Sequence, residues 1–121
     1  MVIMVTGGSG LIGARIVRIL AGRGREVVSF DMAPPRASGS SDEERVRLFR
    51  GDITQMAHLL EAVNAHGVDR IIHMAALLPP DTEDRPHQGM LVNIQGTNNV
   101  FEAARWTGVR RVVYASSIAV Y

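Results

Sequence analysis

Val2-Ile3-Met4-Val5-Thr6-Gly7-Gly8-Ser9-Gly10-Leu11-Ile12-Gly13 reads as a buried strand, a tight glycine turn and the first turn of a helix. Backbone N–H groups left free at a helix start, together with the positive end of the helix dipole, make an anion site. Glycines at such a turn let the backbone approach a pyrophosphate and let the helix pack hard on its strand. Two spacings compete within the stretch. Gly8, Gly10 and Gly13 fit G-x-G-x-x-G, whereas Gly7, Gly10 and Gly13 fit the wider G-x-x-G-x-x-G. Either pattern alone is common, so the surrounding chain has to decide.

Beyond the turn, Leu11, Ile12, Ile16, Ile19 and Leu20 recur at helical spacing, and Gly22 and Gly24 supply a stop. Glu26 to Phe30 reads as a second strand ending at Asp31, 21 residues beyond Gly10. An acid about 20 residues past such a turn hydrogen-bonds a dinucleotide's ribose. A solvated strand-end aspartate is the alternative, and pairing with the glycine turn favours the ribose. Residues 33–44 are rich in Pro, Ser, Gly and acidic residues and read as a loop. Arg45 to Arg50 alternates apolar and basic residues, which predicts a strand at a sheet edge.

Thr54 is placed to cap a helix carrying Met56, Leu59, Leu60 and Val63, which Gly67 ends. Arg70 to Ala75 reads as a fourth strand. Pro86 opens a long helix whose expected buried stripe is Met90, Ile94, Thr97, Phe101 and Ala104, ending at Gly108. Arg111 to Ser116 is the fifth strand. Strands alternating with helices imply a parallel sheet covered on both faces. The continuous apolar strands at 2–5 and 71–75 belong in its middle. The expected fold is therefore α/β, a doubly wound Rossmann-type parallel sheet of five strands in the order 3-2-1-4-5, with a crevice between strands 1 and 4.

Composition narrows the function. A chain of 121 residues fits one domain, and 46% hydrophobic with 21% charged residues is ordinary globular material. No apolar run approaches the ~20 residues of a membrane span, and no basic segment precedes the first strand as in a signal peptide. No cysteine is present, so disulfides and thiolate zinc sites are excluded, and a cytoplasmic location is the expectation. A net charge of +1 gives no reason to expect nucleic acid or anionic membrane as a partner. The four histidines lack ligand spacing, so no metal site is expected. All 13 basic residues are arginine, which leaves no lysine ammonium for chemistry.

Thr6-Gly7-Gly8-Ser9-Gly10-Leu11-Ile12-Gly13, Asp31, Gly51-Asp52-Ile53, His73-Met74-Ala75-Ala76, Asn93 with Gly96-Thr97, and Tyr114-Ala115-Ser116-Ser117-Ile118-Ala119-Val120-Tyr121 follow in order. Together they resemble the N-terminal part of the extended short-chain dehydrogenases/reductases, the NAD-dependent epimerase/dehydratase family. Ala75-Ala76-Leu77-Leu78 and Ser116-Ser117-Ile118-Ala119-Val120 are also similar to the short-chain type of L-threonine 3-dehydrogenase. The resemblance implies that Gly7, Gly10, Leu11, Ile12 and Gly13 hold the pyrophosphate of NAD and that Asp31 takes the adenosine ribose. The charge of Asp31 would repel the 2′-phosphate of NADP; Arg36, in the following loop, is a nearby cation, set apart from the strand end by Pro34 and Pro35. Asp52 and Ile53 would contact the adenine, and Ala75, Ala76 and Leu77 would line the crevice towards the nicotinamide. Asn93 would support it through backbone or ribose hydrogen bonds. His73 reads as structural, and Met74 and Met90 as core.

By the same resemblance Ser117 is the catalytic serine, hydrogen-bonded to the reacting oxygen of a small-molecule substrate such as a nucleotide-sugar. The family's proton-transfer pair is Tyr-x-x-x-Lys. Tyr114 is followed four positions on by Ile118, and Tyr121 matches a turn residue rather than the proton carrier. The chain without lysine is thus expected to bind NAD without turnover, as the cofactor portion of a longer enzyme lacking its C-terminal strands and substrate-binding part. A stand-alone NAD-binding module is the alternative. A homodimer through helix 86–107 is a further expectation from the family.

Overall fold

The computed structural model describes residues 1–33 and 41–116. Five strands, β1 (Val2–Thr6), β2 (Glu26–Asp31), β3 (Val46–Arg50), β4 (Arg70–His73) and β5 (Arg111–Tyr114), form one sheet ordered β3-β2-β1-β4-β5. Every pairing is parallel. The helices are α1 (Leu11–Gly22), α2 (Met56–His66), α3 (Asp81–Asp84), α4 (Pro86–Met90) and α5 (Thr97–Thr107). A wide π-type turn over Leu91–Gly96 joins α4 to α5 without a break. The doubly wound order expected from the sequence is the order observed.

Alternation along the central strands feeds two cores. Met4, Val28 and Ile71 point to the face covered by α2 and α5, against Leu59, Val63, Val100 and Ala103. Val5, Val27 and the half-buried Ile72 point to the other face, against Val17, Ile16 and Leu20 of α1. Burial on both faces is why apolar residues run consecutively through β1 and at Ile71–Ile72 of β4. The edge position expected for β3 is correct, although its half-buried residues are Val46 and Phe49, and Leu48 is exposed. Gly67 and Gly108 close α2 and α5 in the left-handed conformation, at φ 62° and 72°.

Several local expectations need correction. Thr54 does not cap α2: Gln55 is the cap residue, and the Thr54 hydroxyl donates instead to Asp52 Oδ1 at 2.8 Å. On α1 the buried positions are Gly13, Val17 and Ala21, while Leu11, Ile12 and Ile19 are exposed. On the long helix Met90, Ile94 and Phe101 face outwards, and Gly89, Gly96, Asn99, Val100, Ala103 and Ala104 are buried. The reason is size. A Cβ on Gly96 would lie 2.5 Å from Ile53 Cδ1, so the helix sits close through small residues and its large apolar side chains are left outside. β4 also ends two residues earlier than read, because after Met74 N donates to Thr6 O the next amide, of Ala75, turns to the Thr6 hydroxyl.

Candidate functional site

The turn after β1 is built around Gly7, whose φ is +71°. A Cβ there would be 2.9 Å from Ala75 N, so only glycine lets the ends of β1 and β4 come this close. Phe30 O at the end of β2 accepts the N–H groups of Gly7 (2.8 Å) and Gly8 (3.3 Å), and Gly7 O accepts that of Gly10 (3.0 Å). A Cβ on Gly13 would run into Gly7 O, and one on Gly8 into the Ser29 hydroxyl. Gly10 differs: a Cβ there meets only Gly7 O, at 3.3 Å. Gly7, Gly10 and Gly13 line the crevice and Gly8 packs on β2, which decides for the wider glycine spacing.

Helix α1 starts at this turn with no side-chain cap and no acidic residue in its first turn. Its first backbone bond runs from Ala14 N to Gly10 O, at 2.9 Å. The N–H groups of Leu11, Ile12 and Gly13 therefore have no backbone acceptor among the described residues. Three such donors at the positive end of a 12-residue helix suit a pyrophosphate. Leu11, 93% exposed, and Ile12, 60% exposed, are apolar side chains free to cover a ligand held there.

Asp31, at the end of β2, is held by backbone N–H groups, and among the described residues no cation pairs with it. Its Oδ2 accepts Ser9 N at 3.0 Å and its Oδ1 accepts Ala33 N at 3.1 Å. Each oxygen keeps further acceptor capacity, which suits a ribose diol. Asp52 follows β3. Its Oδ1 accepts both the N–H (2.9 Å) and the hydroxyl (2.8 Å) of Thr54, and its own N–H donates to His58 Nδ1 at 3.0 Å. Asp52 Oδ2 and the N–H of Ile53 have no partner among the described residues. An acceptor beside a donor matches the amino group and ring nitrogen along an adenine edge.

The segment after β4 brings Ala75, Ala76 and Leu77 to the other side of the crevice. Asn93, from the π turn, clamps Leu77 in two directions: its Oδ1 accepts Leu77 N (2.8 Å) and its Nδ2 donates to Leu77 O (2.9 Å). Asn93 thus reaches the crevice wall through the backbone of Leu77. π turns inside helices recur at functional sites.

His73 lies beneath, 1% exposed. The Thr6 hydroxyl accepts Met74 N (3.0 Å) and Ala75 N (3.2 Å), which leaves its proton to donate to His73 Nδ1 at 2.6 Å. Nδ1 is then the acceptor, and Nε2–H donates to Thr97 Oγ1 at 2.9 Å. Burial pushes the imidazole pKa down to about 4, so the ring is neutral. Tyr114 stacks on it at 5.7 Å. This is a structural histidine, as expected.

One crevice of about 430 Å3 collects eleven of the expected cofactor residues: Gly7, Gly10, Leu11, Ile12 and Gly13 from the turn, Asp31, Asp52 and Ile53 from the strand ends, and Ala75, Ala76 and Leu77. Sequence reasoning missed Phe30, Met32, Gly51, Leu78 and Val92 as wall residues, and it assigned Met74 to the core. Gly51 carried a usable signal in the Gly51-Asp52-Ile53 motif: a Cβ there would lie 2.5 Å from the Phe30 ring. Ser117, Arg36 and Tyr121 lie outside the described residues. Among the described residues no cluster of His, Asp or Glu could hold a metal, and no helix is long and apolar enough to cross a membrane.

Comparison with known proteins agrees with this fold. The model of the NAD dependent epimerase/dehydratase family matches residues 3–121. A 3-beta-hydroxysteroid dehydrogenase of Mycolicibacterium neoaurum is 37% identical over 98% of this chain and 32% of its own. The UDP-glucose 4-epimerase of Thermus thermophilus, solved in complex with NAD, superposes with a TM-score of 0.84 at 32% identity, over 97% of this chain and 38% of that one. A GalE-like L-threonine dehydrogenase of Cupriavidus necator, in its holo form, gives 0.88 at 29% identity, over 100% and 39%. The chain thus spans about a third of the length of the curated relatives it matches. With the family model matched from the first strand through the fifth, the chain belongs to the NAD-dependent epimerase/dehydratase family.

Proposed function

We propose that residues 1–121 form the cofactor-binding domain of an NAD-dependent oxidoreductase or epimerase, and that the crevice binds NAD. The observation that carries this is the gathering of free helix-start N–H groups, the Asp31 carboxylate and the Asp52–Ile53 donor–acceptor pair into one crevice. Leu11, Ile12 and Gly13 N–H groups take the pyrophosphate, Asp31 the adenosine ribose, and Asp52 with Ile53 the adenine. Leu77, held by Asn93, faces the nicotinamide half. Bound NAD supplies hydride acceptance and return; the chain's own residues bind, orient and exclude water.

The substrate is a hydroxyl-bearing small molecule. Sequence relatives named as hydroxysteroid dehydrogenases and structural relatives named as an epimerase and a threonine dehydrogenase support that breadth. A nucleotide-sugar and an L-threonine-like substrate are the two narrower readings, and Ser117 is the proposed partner of the reacting oxygen. No lysine occurs in these 121 residues, so the Tyr-x-x-x-Lys pair has to come from outside them, and this chain alone binds without turnover. A cytoplasmic setting fits the cysteine-free composition. Exposed Met90, Ile94 and Trp106 support pairing of two copies through the long helix.

Isothermal titration tests the central binding claim. NAD is expected to bind and NADP to bind more weakly, with Asp31→Ala losing about 1.5–3 kcal/mol of NAD affinity, the worth of a hydrogen bond to a charged group. Unchanged affinity in the variant removes Asp31 from the site, and a folded wild-type protein with no NAD affinity removes the proposal.

A further inference from the structure

Asn99 on α5 is 7% exposed and was not among the residues that the motifs singled out. Its Oδ1 accepts Gln95 Nε2 at 3.0 Å, which turns Nδ2 towards Ile53 O, 2.9 Å away and separated by 46 residues in sequence. A carbonyl can only accept, so the amide orientation is fixed from both sides. The Ile53–Thr54 peptide is then held at its two ends. Asn99 takes its oxygen, and its N–H, that of Thr54, donates to Asp52 Oδ1 at 2.9 Å. One oxygen of Asp52 is thereby committed and the other is left for a ligand. Gly96, one turn earlier, supplies the space: a Cβ there would meet Ile53 Cγ1 at 2.6 Å. Six residues before Asn99, Asn93 does the equivalent for the far wall by clamping Leu77.

We infer that Asn99 is a positioning residue for the adenine end of the cofactor. The same helix that holds the nicotinamide-side wall through Asn93 sets the adenine-side wall through Asn99. The inference rests on the dinucleotide reading of the crevice and deepens it: two asparagines on one helix act on opposite halves of one ligand. Loss of Asn99 frees the Ile53–Thr54 peptide to rotate and with it the Asp52 carboxylate. It also leaves Ile53 O, 5% exposed at the residue level, without its donor.

The test uses the 121-residue chain with AMP and NAD as separate probes. Asn99→Leu removes the donor and keeps the branched heavy-atom skeleton; AMP and NAD affinity should both fall by tenfold or more. Asn93→Leu should weaken NAD while leaving AMP within twofold of wild type. Thermal melts of both variants, read alongside, separate that split from a general loss of packing. Wild-type AMP affinity retained in Asn99→Leu overturns the inference, as does an equal loss of AMP in both variants. Should Asn99→Leu fail to fold, the wild-type protein decides by NMR: AMP should shift the side-chain amide of Asn99 and leave that of Asn93 in place, and the reverse pattern or no shift at Asn99 overturns it. A wild type that binds neither probe fails the dinucleotide reading itself, an outcome distinct from any difference between the variants.

Discussion

His73 gives the sharpest prediction about stability. Its neutral form is written into the hydrogen-bond network: Thr6 has one proton, already given to Nδ1, and both of its lone pairs are taken by Met74 and Ala75 amides. Protonating the ring would set Nδ1–H against that hydroxyl in a site 1% exposed. The folded-state pKa is accordingly about 4, against an ordinary 6.5 for the unfolded chain. Between those two values the unfolded state binds more protons, so the network's contribution is complete above pH 6.5 and is lost as the pH falls towards 4. The full difference is about 3 kcal/mol, and about 2 kcal/mol of it should be gone by pH 5, above the range in which most carboxylates titrate. Urea denaturation of the wild type and His73→Gln at pH 7, 6, 5.5 and 5 isolates the effect, because every other titrating group is common to both. The wild type should lose about 2 kcal/mol more than the variant over this range. Parallel stability–pH curves would refute the assigned tautomer and the burial argument together.

The glycines of the first turn should separate binding from folding. Gly10→Ala, whose new methyl meets only Gly7 O at 3.3 Å, should fold normally and lose NAD binding at least tenfold, whereas Gly13→Ala, aimed into Gly7 O, should lower the melting temperature. Thermal melts paired with NAD titration read both, and full NAD affinity in Gly10→Ala would remove Gly10 from the crevice wall. The exposed face of the long helix should pair two copies. Ile94→Glu is then expected to convert a dimer to a monomer in analytical ultracentrifugation, and a wild type that stays monomeric well above the micromolar range would discard the dimer.

Much of the molecule was legible because its signals are local. The glycine turn, the strand-end Asp31 and the consecutive apolar residues of β1 and β4 each follow from backbone needs expressed within a few residues. What escaped was set by close approach between distant segments. The long helix looked as though its large apolar side chains were inside, but Gly96 and Ala103 touch the core and Ile94 does not. A search for apolar periodicity ranks glycine and asparagine low, yet those residues let a helix lie near a loop and grip its backbone. Thr54 had the sequence of a helix cap, and the nearer Asp52 carboxylate took its hydroxyl. Asn99 was invisible for a similar reason: its partner is a main-chain carbonyl, which leaves no trace in side-chain pattern.

A crystal structure of the protein grown with NAD is the decisive measurement. Pyrophosphate oxygens are expected within hydrogen-bond distance of the Leu11, Ile12 and Gly13 amides, with the adenosine ribose on Asp31 and adenine between Asp52 and Ile53. NAD seated elsewhere, or a crevice that stays without NAD at millimolar concentrations, would contradict the dinucleotide reading.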